Sequence, residues 1–413
     1  MRGWLQQTTG GLPKTFWYLW SGTLISRAGA FVTILLTFYL SNERHFKATF
    51  VGLVIGLIGA GGAVGVLIGG QLADRWGRRS TLLVAQVGTA VMLVLLGLTR
   101  QQWLIVVMAF TLGLVQNMSR PAFSAMMVDI VPDRDRLRAF SLNYWAINLG
   151  FSVAALLGGL VADLDYLWIF MVDAATMLVT ALIVFLKVPE TRPAAPVADT
   201  GSPAGAGPVA RPSGSPFRDP VYLGLVGLTF LSAMVFMQHL SSLPLAMARD
   251  GLSAKTFGTV IALNGILIVL GQLFIPRLVR GRDRSKTLAM ASLIVGVGFG
   301  LTALAHDLWL YSATVLIWTL GEMLQSPSNS TLIAELSPTD ARGRYQGVFS
   351  LAFSGAAFAA PLVGGFVFDE FGNAPLWIGC LVLSLFVAGL NLAAGPARNR
   401  RTAALKERDL VNA

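Results

Sequence analysis

Residues 70–83 read GQLADRWGRRSTLL, a short polar segment that joins two apolar stretches, residues 50–73 and 80–99. Each stretch is long enough for a helix to cross the hydrocarbon core of a bilayer, which takes ~20 residues. Gly77 permits a turn, and the two arginines after it stand at the level of lipid headgroups. The segment therefore predicts two consecutive membrane-spanning helices with a basic connection at one membrane surface.

The composition extends this prediction to the whole chain. Of 413 residues, 54% are hydrophobic and only 13% are charged, whereas a soluble chain carries roughly 25% charged residues. We predict helices near residues 16–40, 50–73, 80–99, 103–130, 139–162, 167–187, 220–246, 256–279, 287–305, 308–334, 346–368 and 374–395. The first stretch is too long for a cleaved signal peptide, so it is interpreted as the first helix. The sequence thus predicts an all-α integral membrane protein with twelve transmembrane helices.

Several function classes are disfavoured by what the sequence lacks. A single cysteine, Cys380, and three histidines provide neither a disulfide framework nor a metal cluster. No G-K-[ST] phosphate loop occurs, so an ATP-driven pump is not indicated. The buried polar residues do not group into a nucleophile, a base and an orienting group. We therefore expect no enzyme, no metal and no cofactor.

The basic residues predict the orientation. If the connections alternate between the two membrane surfaces, one surface receives only five of the 31 Lys and Arg residues, and Arg27 and Arg120 lie inside spans. The five are Arg44, Lys47, Arg100, Arg249 and Lys255. Because basic connections stay in the cytoplasm, both termini are predicted to be cytoplasmic. The net charge of +10 thus orients the chain and does not indicate a nucleic-acid partner. Arginine outnumbers lysine 25 to 6, as is usual in proteins of GC-rich bacteria. We therefore predict a bacterial inner membrane.

The two halves of the chain resemble each other. Residues 121–138 and 327–344 align without a gap, so that Pro132 matches Pro338 and Arg138 matches Arg344. This repeat indicates duplication, and two parallel six-helix repeats are typical of alternating-access carriers. We divide the chain into an N-terminal half (residues 1–188), a flexible cytoplasmic linker (189–218), a C-terminal half (219–395) and a cytoplasmic tail (396–413).

Residues 70–83 also resemble the inter-helix signature of the major facilitator superfamily, G-x-L-a-D-r-x-G-r-k-x-x-l. The matching residues are Gly70, Leu72, Asp74, Arg75, Gly77, Arg78, Arg79 and Leu82. The resemblance covers the whole chain and implies a transporter of two pseudo-symmetric halves, in which this cluster latches the cytoplasmic side. The residues implied for that latch are Gly70, Asp74, Arg75, Gly77, Arg78 and Asp129, the last as the partner of Arg78. The alternative is that the arginines only fix topology, which we favour for Arg79. The second half has Arg280 in place of Asp74, so any latch is asymmetric.

Glu322 is the acid that most needs an explanation, because it lies in the apolar stretch WTLGEMLQSPSN, residues 318–329. A lone ionised carboxylate inside a membrane costs several kcal/mol. GEMLQSPS resembles the tenth helix of the drug:proton antiporter branch, where a glutamate after glycine takes part in proton coupling. That resemblance implies that Glu322 carries protons, with Arg27 and Arg120 as groups that it meets. The alternative is a static buried pair between Glu322 and one of the arginines.

The same resemblance implies that helices 1, 4, 7 and 10 line a central cavity. The residues that we predict for it are Thr23, Phe31, Gln116, Asn143, Tyr144, Met234, Gln238, His239, Trp318 and Gln325, with Trp318 and Tyr144 favoured. Asp173 is expected to make only a structural hydrogen bond, because helix 6 belongs to the outer ring. Two arginines and one glutamate favour neutral, zwitterionic or anionic amphiphiles over multiply charged cations.

The leading hypothesis is therefore a transporter that exports hydrophobic or amphiphilic small molecules in exchange for protons, driven by the proton gradient. An importer, or a carrier of lipids or anionic amphiphiles, is the alternative within this fold. A membrane sensor or assembly subunit is the alternative without transport. The expected partners are the substrate, protons and the lipid bilayer, and since each chain contains both halves, a monomer should suffice.

Overall fold

The computed structural model of the chain describes residues 11–191, 215–271, 274–279, 281–338 and 341–411. Most of the predicted linker (189–218) lies outside these residues, and so does Arg280. Within the described residues the chain is helical and has no strand, which confirms the all-α prediction.

Twelve helical spans follow one another in the part of the chain that the structure describes. Span 1 comprises Lys14–Ala28, Phe31–Phe38 and Tyr39–Glu43; the others are span 2, Ala48–Arg75; span 3, Arg78–Leu98; span 4, Gln102–Ile130; span 5, Arg136–Ala162; span 6, Tyr166–Lys187; span 7, Pro220–Phe236 with Gln238–Arg249; span 8, Ala254–Gly271 with Ile275–Val279; span 9, Arg284–Leu301; span 10, Leu308–Leu336; span 11, Arg342–Glu370; and span 12, Asn373–Val411. Eleven of them are long and apolar enough to cross a membrane by length and composition. Span 10, which carries Glu322, is 29 residues long but is not among those eleven.

The connections define two ends of the bundle, because consecutive spans run in opposite directions. The terminal end carries residues 11 and 411 and the connections that follow spans 2, 4, 8 and 10. The distal end carries the connections that follow spans 1, 3, 5, 7, 9 and 11.

The two halves are held together at the distal end, where glycines let their backbones approach. A Cβ on Gly52 of span 2 would lie 2.1 Å from the Pro361 carbonyl oxygen of span 11. A Cβ on Gly258 of span 8 would lie 2.1 Å from the Ala155 carbonyl oxygen of span 5. Such contacts leave no space for any side chain, so these glycines set the distance between the halves. We call this arrangement the distal-closed conformation.

The glycine-rich face of span 2 also packs within its own half. Cβ atoms on Gly61, Gly65 and Gly69 would lie 2.0, 2.1 and 2.3 Å from carbonyl oxygens of span 4. The four-residue spacing of these glycines predicts such an approach, and the structure confirms it.

Span 7 bends between Phe236 and Gln238, and its second segment contains Pro244. Proline has no N–H, so the Leu240 carbonyl one turn earlier is left without its helical donor. The Thr37 hydroxyl of span 1 donates to that carbonyl at 2.9 Å. The proline thus provides an acceptor for a hydrogen bond between the two halves.

Span 12 does not end near residue 395, where its helix was predicted to end, but continues to Val411. Arg398 is buried and donates to Asn391 and Ser285, at 2.9 and 3.3 Å. Arg401 forms an ion pair with Asp219 at 3.0 Å. These contacts explain why the helix continues through residues predicted to form a tail.

Candidate functional site

Glu322 lies partly buried on span 10, and the group that holds it comes from span 8. The Asn264 side-chain N–H donates to Glu322 Oε2 at 2.7 Å. The same nitrogen lies 3.0 Å from the Thr319 hydroxyl, one turn before Glu322. Among the described residues, no ion pair joins Glu322 to Arg27 or Arg120. The buried pair that the sequence left open is thus absent here, and the partner is a neutral amide.

Arg27 and Arg120 border a cavity of about 510 Å³ inside the N-terminal half. The predicted residues Thr23, Gln116 and Asn143 also border it. The Oδ1 atom of Asn143 is buried and has no hydrogen-bond partner among the residues that the structure describes. The cavity therefore offers two guanidinium donors and an unused acceptor to a polar ligand.

A smaller cavity of about 270 Å³ lies between the two halves. Gln116 and Arg120 border it from span 4, Met237 from span 7 and Phe353 from span 11. Asp173 of span 6 borders it too. Arg120 and Gln116 therefore connect the polar cavity of the N-terminal half with the space between the halves.

Two predicted cavity residues, Trp318 and Phe31, lie in the protein core instead. The Trp318 ring is only 1% exposed and stacks on Phe299, with 5.4 Å between ring centroids. Phe31 is 3% exposed and packs against Gly158, where an added Cβ would lie 3.3 Å from its ring. The prediction rested on the helices that carry them, and such a helix also packs aromatic rings into the protein core.

Gln238 and His239 of span 7 are also buried, and their hydrogen bonds stay within the C-terminal half. Gln238 donates to the Ala360 carbonyl at 2.9 Å and accepts from the Ser242 hydroxyl at 2.6 Å. His239 Nδ1 lies 2.6 Å from the Phe236 carbonyl oxygen. In this conformation neither residue borders the two cavities described above.

Tyr144, Met234 and Gln325 complete the predicted set. Tyr144 of span 5 is 39% exposed and lies within electrostatic range of Glu322. Met234 and Gln325 are partly buried, and neither of the two cavities described above includes them. Tyr144 is thus the member of this set that the structure places near the glutamate.

The signature segment forms a compact charged cluster at the terminal end. Arg78 of span 3 forms an ion pair with Asp129 of span 4, which confirms the predicted pairing. Gly77 precedes it with a φ of +104°, a conformation that suits glycine. The Glu190 carboxylate, after span 6, accepts from the backbone N–H groups of Arg78 and Arg79, at 2.8 and 3.1 Å. An acid thus caps the positive end of span 3.

The other predicted latch residues lie on the neighbouring end of span 2. Asp74 and Arg75 are exposed, and Gly70 is partly buried. In the described part of the chain, Asp74 has no hydrogen bond and no ion pair. The structure therefore brings Gly77, Arg78 and Asp129 together, and leaves the Asp74 carboxylate open to solvent.

Three polar residues of this architecture were not predicted. Asn264 stands alone in IALNGILIVLG, residues 261–271, and a lone amide in an apolar stretch is a signal that sequence reading could have used. Glu190 belongs to the predicted linker, and Asp369 directly follows the helix predicted near residues 346–368. Their roles depend on which helix ends are neighbours in the fold. The periodicity of the sequence does not show this.

Comparison with known proteins supports one family. The sequence model for the Major Facilitator Superfamily matches residues 19–361 and 225–411. The uncharacterized MFS-type transporter YttB of Bacillus subtilis (strain 168) is 28% identical over 380 residues, which are 91% of this chain and 93% of that protein. A Na(+), Li(+), K(+)/H(+) antiporter of Planococcus maritimus is 23% identical, over 72% of this chain and 76% of that protein. Multidrug resistance protein MdtH of Salmonella arizonae is 24% identical, over 83% of each chain.

The fold is shared with solved transporter structures. A POT family transporter, crystallised with 5-aminolevulinic acid, superimposes with a TM-score of 0.80. The alignment covers 94% of this chain and 98% of that one, at 14% identity. At this identity the likeness supports the fold of two six-helix halves.

Proposed function

Because the chain belongs to the major facilitator superfamily, a family of multi-pass membrane transporters and not of enzymes, we propose that it exports hydrophobic or amphiphilic small molecules in exchange for protons. Transport proceeds by alternating access between the two halves. Relatives that are named as a cation/proton antiporter and as a multidrug resistance protein support this assignment.

The partner of Glu322 is the observation that carries the proposal. An arginine would hold the carboxylate in its ionised form, because separating a buried ion pair is strongly unfavourable. Asn264 is neutral, and its N–H can donate to the carboxyl group whether or not that group carries a proton. A proton can therefore bind and leave without breaking an ion pair. Tyr144 of the opposite half lies within electrostatic range of Glu322. A change in the charge of Glu322 therefore acts across the interface between the halves, which opens and closes during transport.

The proton gradient supplies the energy in this proposal, and no cofactor is needed. In this proposal the terminal end, which carries the excess of basic residues, lies in the cytoplasm of a bacterial cell, and the spans cross the inner membrane. One chain contains both halves, so a monomer is the transporting unit.

The test is proton movement in vesicles that contain the purified protein, measured when amphiphilic compounds are added. Wild type and Glu322→Gln are compared with Glu335→Gln, which makes the same change on the same span, where Glu335 faces Arg284 at 3.9 Å. We expect compound-evoked proton movement in wild type and Glu335→Gln, and none in Glu322→Gln, which still binds the compounds. Equal responses from all three proteins would remove Glu322 from the coupling mechanism.

A carrier of anionic amphiphiles is the second candidate, and the two arginines favour it. Arg27 and Arg120 border the 510 Å³ cavity, and among the described residues neither has a carboxylate ion pair. This candidate predicts that anionic amphiphiles compete better than cationic ones, and that flux survives collapse of the proton gradient. A sensor or assembly subunit would show no substrate-dependent flux at all.

A further inference from the structure

Asp173 lies beside the break in span 1. The first segment of that span ends at Ala28 and the second begins at Phe31. Asp173 Oδ2 accepts from the backbone N–H of Val32 at 3.3 Å, and this N–H belongs to the first turn of the second segment, where helical N–H groups lack partners. A Cβ on Gly29 would lie 2.2 Å from the Thr176 hydroxyl oxygen, so span 6 packs directly on the break.

The second carboxylate oxygen of Asp173 has no comparable partner. Oδ1 is buried and makes no hydrogen bond to any residue that the structure describes. The side chain as a whole is 2% exposed, yet it borders the 270 Å³ cavity between the halves. A buried acid with one long hydrogen bond and one unused oxygen is costly in its ionised form.

The surrounding charges do not remove that cost. Arg27 of span 1 lies within electrostatic range of Asp173, and Arg120 of span 4 borders the same cavity, but no ion pair joins either arginine to Asp173 among the described residues. The cavity residues of spans 2, 3, 7 and 11 carry no charge. Asp173 therefore faces two cations at a distance and is held by neither.

We propose that Asp173 is a second proton-binding carboxyl group, in the half opposite to that of Glu322. The proposal deepens the proposed function and rests on its proton coupling. When Asp173 binds a proton it loses its negative charge, and its hydrogen bond from Val32 weakens. The segment Phe31–Phe38 is then held less firmly at the break, and that segment carries Thr37, which donates to Leu240 of the other half. The proton on Asp173 thereby favours release of a contact that closes the distal end.

The first test is infrared difference spectroscopy of the purified protein as the pH is varied. Asp173→Asn keeps an oxygen that accepts from Val32, but it has no proton to exchange. Asp165→Asn is the matched control, because Asp165 is exposed and caps the same span through the Leu167 N–H at 2.7 Å. We expect a carbonyl band of a protonated carboxylic acid in wild type that disappears as the pH rises. That band should be absent from Asp173→Asn and present in both Asp165→Asn and Glu322→Gln. A wild-type spectrum equal to that of Asp173→Asn, or a band that persists at every pH, would overturn the proposal.

The second test is the proton-to-substrate ratio, obtained from the gradient at which net flux in vesicles reverses. We expect a lower ratio for Asp173→Asn than for wild type and Asp165→Asn. An unchanged ratio would show that Asp173 is a structural cap, while proton-coupled export by Glu322 would stand. Conversely, a titrating infrared band in a protein that moves no protons with substrate would reject the proposed function and leave the Asp173 site intact.

Discussion

Asp369, near the end of span 11, accepts hydrogen bonds from Thr49 at the start of span 2. The distances are 2.7 Å from the Thr49 backbone N–H and 2.5 Å from its hydroxyl, and the N–H of Ala48 lies 3.2 Å from the other carboxylate oxygen. A carboxylate of one half thus caps a helix of the other half at the distal end. Because this contact exists only while that end is closed, it stabilises the distal-closed conformation.

We predict that Asp369→Asn shifts the conformational equilibrium towards the distal-open state by about 2- to 5-fold, because it removes a charge–dipole interaction of roughly 0.3–1 kcal/mol. Distances between spin labels on the distal ends of spans 2 and 11 measure the two populations. The control is Asp307→Asn, since Asp307 caps its own span 10 through Trp309 and Leu310, each at 2.9 Å. If both variants shift the distances equally, the Asp369 contact has no special role in closure.

Gly258 provides a steric test of the same closure. Its Cβ position lies 2.1 Å from the Ala155 carbonyl oxygen of the opposite half, so the halves cannot close around a larger residue. We expect Gly258→Leu to hold the distal end open and to lower transport at least ~10-fold while each half stays folded. Accessibility of cysteines introduced at the distal end to a membrane-impermeant reagent reports the opening. Gly227→Leu on span 7 should leave accessibility unchanged, because none of the residues that the structure describes lies within 4 Å of its Cβ position.

A substitution at Gly77 tests how much the Glu190 cap on span 3 contributes to stability. A Cβ there would lie 2.4 Å from Glu190 Oε2, and the φ of +104° is unfavourable for alanine. We predict that Gly77→Ala destabilises the protein by about 1–3 kcal/mol, seen as a lower melting temperature. Gly343→Ala is the comparison, because Gly343 lies in the helix of span 11 and no described residue lies within 4 Å of its Cβ position. That variant should be neutral or stabilising; a loss equal to that of Gly77→Ala would contradict the capping argument.

Asp283 lies outside the membrane-spanning segments, and its ionisation makes the stability of the protein depend on pH. The backbone N–H of Lys286 (2.9 Å) and the Asn399 side chain (3.2 Å) donate to its carboxylate and hold the pKa of Asp283 below its usual range. A lowered folded-state pKa gives stability that is present above the unfolded value, about 3.9, and is lost as the pH falls through the folded value. The advantage of wild type over Asp283→Ala in melting temperature should therefore shrink as the pH falls below about 4. A constant difference down to the lowest pH would contradict this.

The sequence predicted the architecture well, because apolar spans, basic residues in the connections between them and the signature segment are local patterns. The positions of the twelve helices and the two halves follow from such patterns, whereas the Arg78–Asp129 pair follows from the resemblance of residues 70–83 to the superfamily signature. The break in span 1 was missed, since it lies against Asp173 and Thr176, which are distant in sequence, and the bend in span 7 was missed as well. Helical spacing shows which residues avoid lipid, but it does not separate a cavity wall from a packed core.

Trp318 is the residue for which this distinction can be measured. Its ring is packed between Phe299 and Phe236, at centroid distances of 5.4 and 5.9 Å, and is 1% exposed. We expect Trp318→Ala to destabilise the protein by about 3–5 kcal/mol, the usual cost of removing a large buried aromatic side chain. Trp309→Ala on the same span should change stability by no more than about 0.5 kcal/mol, because Trp309 is 79% exposed. Trp318→Phe should lower the melting temperature less than Trp318→Ala and keep the wild-type order of substrate affinities. A changed order of substrate affinities in the folded Trp318→Phe variant would show that Trp318 contacts the substrate.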